Sequence, residues 1–195
     1  MIRNISEYIK QSYREAFTDL RDAGASILVT VAIFLVCVSI GMVHPSWSDD
    51  TLSALKGLAK DLSGKSASAI IFTIFLKNAL STAISVLTGP LLGIIPVSGA
   101  VINGLLLGST LSYIKEMGRP YAIVYLFPHG LFEFPAMFMA WGLGLWQGMW
   151  FLRKPPDRSF KDRLQRAFRV LVILILPLLI IAALIEGTSI YIRMQ

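Results

Sequence analysis

The chain has a single cysteine, Cys37, and only two histidines, His44 and His129, in 195 residues. One cysteine excludes a disulfide framework. So few soft ligands also exclude zinc fingers, iron–sulfur clusters and other multi-cysteine metal sites. Charge is scarce as well: Asp, Glu, Lys and Arg make up 15% of the residues, against roughly 25% in an average soluble domain. No internal repeat or low-complexity segment stands out. Apolar residues, in contrast, make up 55% of the chain, and the mean hydropathy is +0.66. That abundance excludes disorder, which requires low hydrophobicity. The composition is that of an integral membrane protein.

About 20 apolar residues carry a helix across a hydrocarbon core of about 30 Å. Stretches near 25–43, 69–87, 91–114, 123–152 and 168–190 meet that length. The expected fold is therefore all-α, a polytopic helix bundle with five transmembrane helices in one membrane domain, 25–195. Pro90 and Pro96 leave 89–99 open between a helix start and a re-entrant piece. The 32 residues Tyr121–Leu152 are too long for one straight crossing, so a break is expected at Phe127–Pro128, with Tyr121–Phe127 near the interface. In 1–24, Ile2, Ile5, Ile9, Ala16, Phe17 and Leu20 recur at helical spacing among charges, as in an amphipathic helix on a membrane surface. A solvated helix packed on its neighbours has the same pattern. Its four acids argue against a cleavable signal peptide.

Lys and Arg set the orientation. The N-terminal segment and the connection between spans four and five together hold eleven, the opposite side six, and Lys77 lies within a span. The N-terminus is expected on the cytoplasmic side of the cell membrane and the C-terminus outside. The seven bases of the 153–169 connection come with no aromatic stacking platform or recognition motif, so no nucleic-acid partner is expected. Membrane lipids with anionic headgroups are the expected contact. Outside, Leu52, Leu55, Leu58 and Leu62 give His44–Ser68 a helical stripe, suited either to capping the bundle or to docking an extracytoplasmic protein partner. Three small-xxx-small pairs, Gly89/Gly93, Gly104/Gly108 and Gly144/Gly148, point to close helix packing, within the chain or in a homodimer. They nominate spans three and four as the centre of the bundle.

Ionisable and amide side chains at membrane depth cost about 2.5–3.5 kcal/mol each for charged groups, and so mark candidate sites. The set comprises Lys77 and Asn78 in span two, Asn103 in span three, His129 and Glu133 in span four, and Glu186 near the end of span five. His129 and Glu133, four apart, share a helix face. With the topology above, all but Asn103 fall in the outer leaflet. Lys77 and Asn78 lie roughly 12 Å down at about 1.5 Å per residue. Two readings follow. One is a structural knot, with Lys77 neutralising a glutamate and Asn78 or Asn103 bridging helices. In the other, His129, Glu133 and Glu186 bind a divalent cation such as zinc, which accepts imidazole and carboxylate together. A water on such a metal is a candidate nucleophile. The spacing differs from the H-E-x-x-H of zinc proteases, and no serine sits in a nucleophile turn. Trp141, Trp146 and Trp150 read as packing and interface anchors, and His44 as a loop histidine.

Pro128-His129-Gly130-Leu131-Phe132-Glu133 resembles the corresponding element of the stage II sporulation protein M family of multi-pass membrane proteins. The resemblance extends to Phe75-Leu76-Lys77-Asn78, to Asn103-Gly104 with Gly108, and to Ala182-Ala183-Leu184-Ile185-Glu186. It covers most of the chain from about Ile70 onward. The family's namesake works with peptidoglycan-degrading enzymes during engulfment. The resemblance thus implies an anchor or organiser of partner proteins, cell-wall hydrolases among them. Two other classes stay open: a metal-dependent intramembrane hydrolase acting on a lipid or wall precursor, and a small-solute transporter. The latter lacks the paired broken helices of inverted repeats.

Overall fold

The computed structural model of the chain describes residues 2–49, 53, 57, 61, 62, 64–89, 92–118, 123–149 and 159–194. Their regular structure is helical, with no strand among the described residues. Helix α1 (Ile2–Asp22) leads through Ala23 into α2 (Gly24–Val43), which ends in a 3-10 turn at Pro45–Ser48. Then come α3 (Ala67–Leu87), α4 (Ile94–Glu116) and α5 (Ile123–Gly148). Helix α6 (Phe160–Val170) passes through a π-helical turn, Leu171–Ile175, into α7 (Leu176–Met194). Helices α2, α3, α4 and the run Lys161–Arg193 are long and apolar enough to cross a membrane.

The ends of the elements follow from local chemistry. The Ser66 hydroxyl accepts the Ala69 N–H at the start of α3, a side-chain N-cap. Before α4, Leu92 (φ 60°) and Gly93 (φ 69°) are both left-handed. This turns the chain tightly enough for a helix to begin at Ile94, with Pro96 in its first turn, where the missing N–H costs nothing. The described part of 89–99 is thus a turn and a helix start. Span four differs from expectation: α5 runs unbroken through Pro128 and Pro135. Each proline removes one backbone bond, a loss that transmembrane helices tolerate when neighbouring helices enclose them. At 26 residues, α5 is about 39 Å long at about 1.5 Å per residue.

Helix α5 is the axis of the bundle, packed against α2, α3, α4 and α7. Ala136, Ala140, Leu143 and Trp146 are buried, against Val86, Val170, Ile175 and Leu179 from the helices around them. Glycine sets how close those helices come. A Cβ at Gly104 would lie 2.7 Å from the Cys37 Cβ, and one at Gly108 would strike the Val38 carbonyl, so α2 and α4 meet backbone to backbone. The other two glycine pairs meet each other: a Cβ at Gly89 would strike Gly144, and one at Gly148 would strike the Gly93 nitrogen. All three small-residue pairs are therefore engaged inside the chain. The Gln147 amide then donates to the Val86 carbonyl at 2.8 Å, tying α5 to α3.

The bundle has two distinct ends. At one, the Tyr113 hydroxyl donates to Asp49 at 2.6 Å, joining the end of α4 to the turn after α2. The other gathers α1, α6 and the C-terminal part of α5. Of the leucine stripe expected in 44–68, Leu62 is buried against Ile70, Ile74 and Ala183. Leu52, Leu55 and Leu58 lie outside the described residues.

Candidate metal centre

His129 and Glu133 sit one helical turn apart on α5, Nε2 to carboxylate oxygen 4.0 Å, both side chains mostly enclosed. Glu186 comes from α7, which packs along α5. One donor atom from each of the three lies within 4.8 Å of the others. Gly187 lets this arrangement form. A Cβ there would lie 2.5 Å from Ile71 Cγ1 and 2.9 Å from its Cα, so α7 reaches α3 at closest approach beside Glu186. From α3, Asn78 and Lys77 lie near the Glu133 carboxylate. Three helices thus converge polar groups on one place.

Zinc holds nitrogen and oxygen donors at about 2.0–2.2 Å, which at tetrahedral angles separates them by about 3.3–3.6 Å. The three donors need to draw together by little more than about 1 Å to reach that spacing, well within side-chain rotation. One imidazole and two carboxylates is also a donor set that zinc accepts. Geometry and chemistry fit a divalent cation, and three protein donors leave it a fourth position.

The remaining polar residues fall elsewhere. The Asn103 amide donates at 2.8 Å to the Gly99 carbonyl of its own helix, so its hydrogen bond serves α4 and bridges no helix. The His44 ring stacks on Trp47, centroids 4.8 Å apart, at the end of α2. Trp141 and Trp146 are core residues; Trp141 lies against Phe34 and Phe138. Trp150 lies outside the described residues.

A second polar assembly, at the opposite end, was not anticipated from the sequence. Arg163 lies over the Trp146 ring, 4.6 Å from its centroid, and donates to the Trp146 carbonyl at 2.7 Å. Arg166 flanks the same ring at 5.4 Å and pairs with Asp19 at 2.5 Å and Asp22 at 2.6 Å. Arg169 reaches Glu15 at 2.8 Å and Asp19 at 3.1 Å. The signal was present: Glu15, Asp19 and Asp22 repeat at four and three on α1, and Arg163, Arg166 and Arg169 at three on α6. Read separately, each is an ordinary charged helix face. Their complementarity appears only when both faces are read together.

Residues 25–189 match the family model described as stage II sporulation protein M. No curated protein and no solved structure matches significantly.

Proposed function

The chain belongs to the stage II sporulation protein M family, and from that premise we propose a five-span membrane anchor that organises partner proteins and holds a divalent cation, zinc foremost. Helix α5 is the fifth crossing, and the end that carries His44 and Tyr113 faces outside the cell membrane. The observation that carries the cation is the convergence of His129, Glu133 and Glu186 within 4.8 Å. Carboxylates at membrane depth are costly unless paired or coordinated. Lys77 alone offsets one charge of two, and a divalent ion offsets the rest. By tying α5 to α7, the ion fixes the outer ends of two helices on which a partner would dock. The family resemblance supports partners of the cell-wall hydrolase class.

The test is metal analysis of the purified full-length protein after equilibration with zinc and removal of the excess. About one ion per chain is expected, lost in His129→Ala and Glu133→Gln with the elution profile unchanged. A native protein that retains none overturns the cation and leaves the polar residues as a structural knot.

The fourth coordination position supports a second reading, a metal-dependent hydrolase acting on a lipid or wall precursor. Turnover of such a precursor by the zinc-loaded protein, absent in Glu133→Gln, would select it over the anchor.

A further inference from the structure

We infer that α1 is a docking surface for the anionic lipid face of the membrane, with Ile9, Tyr13 and Phe17 seated at the acyl boundary and Lys10, Arg14 and Arg21 on the headgroup phosphates. This inference is independent of the cation site.

The sequence of α1 is electrically balanced. Arg3, Lys10, Arg14 and Arg21 face Glu7, Glu15, Asp19 and Asp22, and a balanced helix has little reason to prefer an anionic surface. Docking on α6 removes the balance. Arg166 and Arg169 engage Asp19, Asp22 and Glu15, so three of the four acids are neutralised by another helix. The described bases of α1, Lys10, Arg14 and Arg21, all remain exposed. Of the α1 acids, Glu15, Asp19 and Asp22 are paired with α6 while Glu7 stays exposed, so the exposed charge of α1 is predominantly cationic.

The apolar face divides in the same way. Ala16 is completely buried, whereas Ile9, Tyr13 and Phe17 are about half exposed, at 49, 45 and 52%. These three recur every four residues and form one stripe. At about 100° per residue on an α-helix, Lys10, Arg14 and Arg21 fall on the adjoining stripe. A basic stripe beside an aromatic and aliphatic one is the arrangement of a helix lying in a headgroup layer.

Chain continuity selects the membrane as the occupant over a soluble partner. Only Ala23 separates α1 from α2, a helix apolar enough to span a bilayer. The C-terminal end of α1 therefore lies at the membrane surface, and the exposed stripe begins within two turns of it. Arg163, Arg166 and Arg169 of α6 are turned onto α1 and Trp146, so any effect of theirs on lipid through α1 is indirect.

The test uses the full-length chain with Cys37→Ala and Tyr13→Cys, labelled at residue 13 with a polarity-sensitive fluorophore. It is placed in nanodiscs of phosphatidylcholine alone or with phosphatidylglycerol added. The expected result is blue-shifted emission and shielding from an aqueous quencher in the anionic discs, reversed at high salt. The triple variant Lys10→Glu, Arg14→Glu, Arg21→Glu should abolish the difference while leaving the ion pairs to α6 and the thermal midpoint in phosphatidylcholine intact. Equal emission in both discs overturns the inference. So does shielding that rises with protein concentration, which would mean a second copy covers the stripe, or shielding unaffected by charge reversal, which would mean an apolar contact only.

Discussion

Arg166 and Asp19, 147 residues apart in the chain, form an ion pair at 2.5 Å with both side chains more than nine-tenths enclosed. The pair joins the N-terminal helix to the segment that feeds the last membrane helix. The guanidinium also lies over Trp146 at the end of the central helix α5, so three parts of the chain share one buried charge.

Without Asp19 the buried Arg166 keeps Asp22 and Arg169 keeps Glu15, so the cost is expected to fall below the about 3–5 kcal/mol of a buried charge left with no partner. Asp19→Ala is therefore expected to lower thermal stability and to loosen α1, making it more susceptible to protease. Adding Arg166→Leu to Asp19→Ala should cost less than the two single losses together, because the buried charge then leaves with its partner. A double-variant cycle with no coupling between the two positions would show that they act independently.

Much of the fold was legible in the sequence, for identifiable reasons. Helical spans are long and uniformly apolar, so their lengths appear without any knowledge of packing. The convergence of His129, Glu133 and Glu186 was legible too, because alternating topology fixes the depth of each polar residue and depth alone brought them level. Asn103 shows the limit of that argument: depth does not say which way a helix faces, and its amide bonds to Gly99 on its own helix. The Arg166–Asp19 pair was hidden because it depends on two helix faces meeting, and the positive-inside count treats each arginine as a topology mark without a partner. The run through Pro128 was hidden because the break was inferred from the 32-residue length of 121–152, and the helix that forms is 26 residues long, Ile123–Gly148.

The glycine contacts give predictions of opposite sign. In a helix, Gly→Ala gains up to about 1 kcal/mol when the methyl meets open space. Gly24 has nothing within 4 Å of an added Cβ, so Gly24→Ala is expected to be neutral or stabilising. At Gly108 the methyl would strike the Val38 carbonyl, and at Gly144 the Ser85 carbonyl and Pro96. Backbone cannot yield as a side-chain tip can, so each is expected to cost about 1–3 kcal/mol by overpacking. Thermal midpoints in detergent, measured side by side, test the ordering. Equal midpoints for Gly24→Ala and Gly144→Ala would contradict the close helix contact.

Metal removal should act on stability as well as on occupancy. A ligand that binds only the folded state stabilises it by mass action, about 2.7 kcal/mol at a hundredfold excess over Kd. A chelator is expected to lower the thermal midpoint of the native protein and to leave that of Glu186→Gln unchanged. Because an imidazole must be neutral and a carboxylate ionised to bind, zinc loading is expected to fall as pH is lowered. A chelator effect of the same size in Glu186→Gln would place the metal elsewhere.

Orientation can be tested at Ser159, which is exposed and precedes α6 without a side-chain capping bond, so a cysteine there should leave the fold intact. The native Cys37 is buried and is replaced by alanine for the measurement. The end that carries α1 and α6 has the larger share of Lys and Arg, which the positive-inside rule assigns to the cytoplasm. Ser159→Cys is therefore expected to resist a membrane-impermeant thiol reagent in intact cells and to react once the membrane is opened. A cysteine at Ser46, in the turn after α2 at the other end, should show the reverse. Labelling of Ser159→Cys in intact cells would invert the bundle and put the His129–Glu133–Glu186 centre in the cytoplasmic half of the membrane, beyond the reach of any partner in the cell wall.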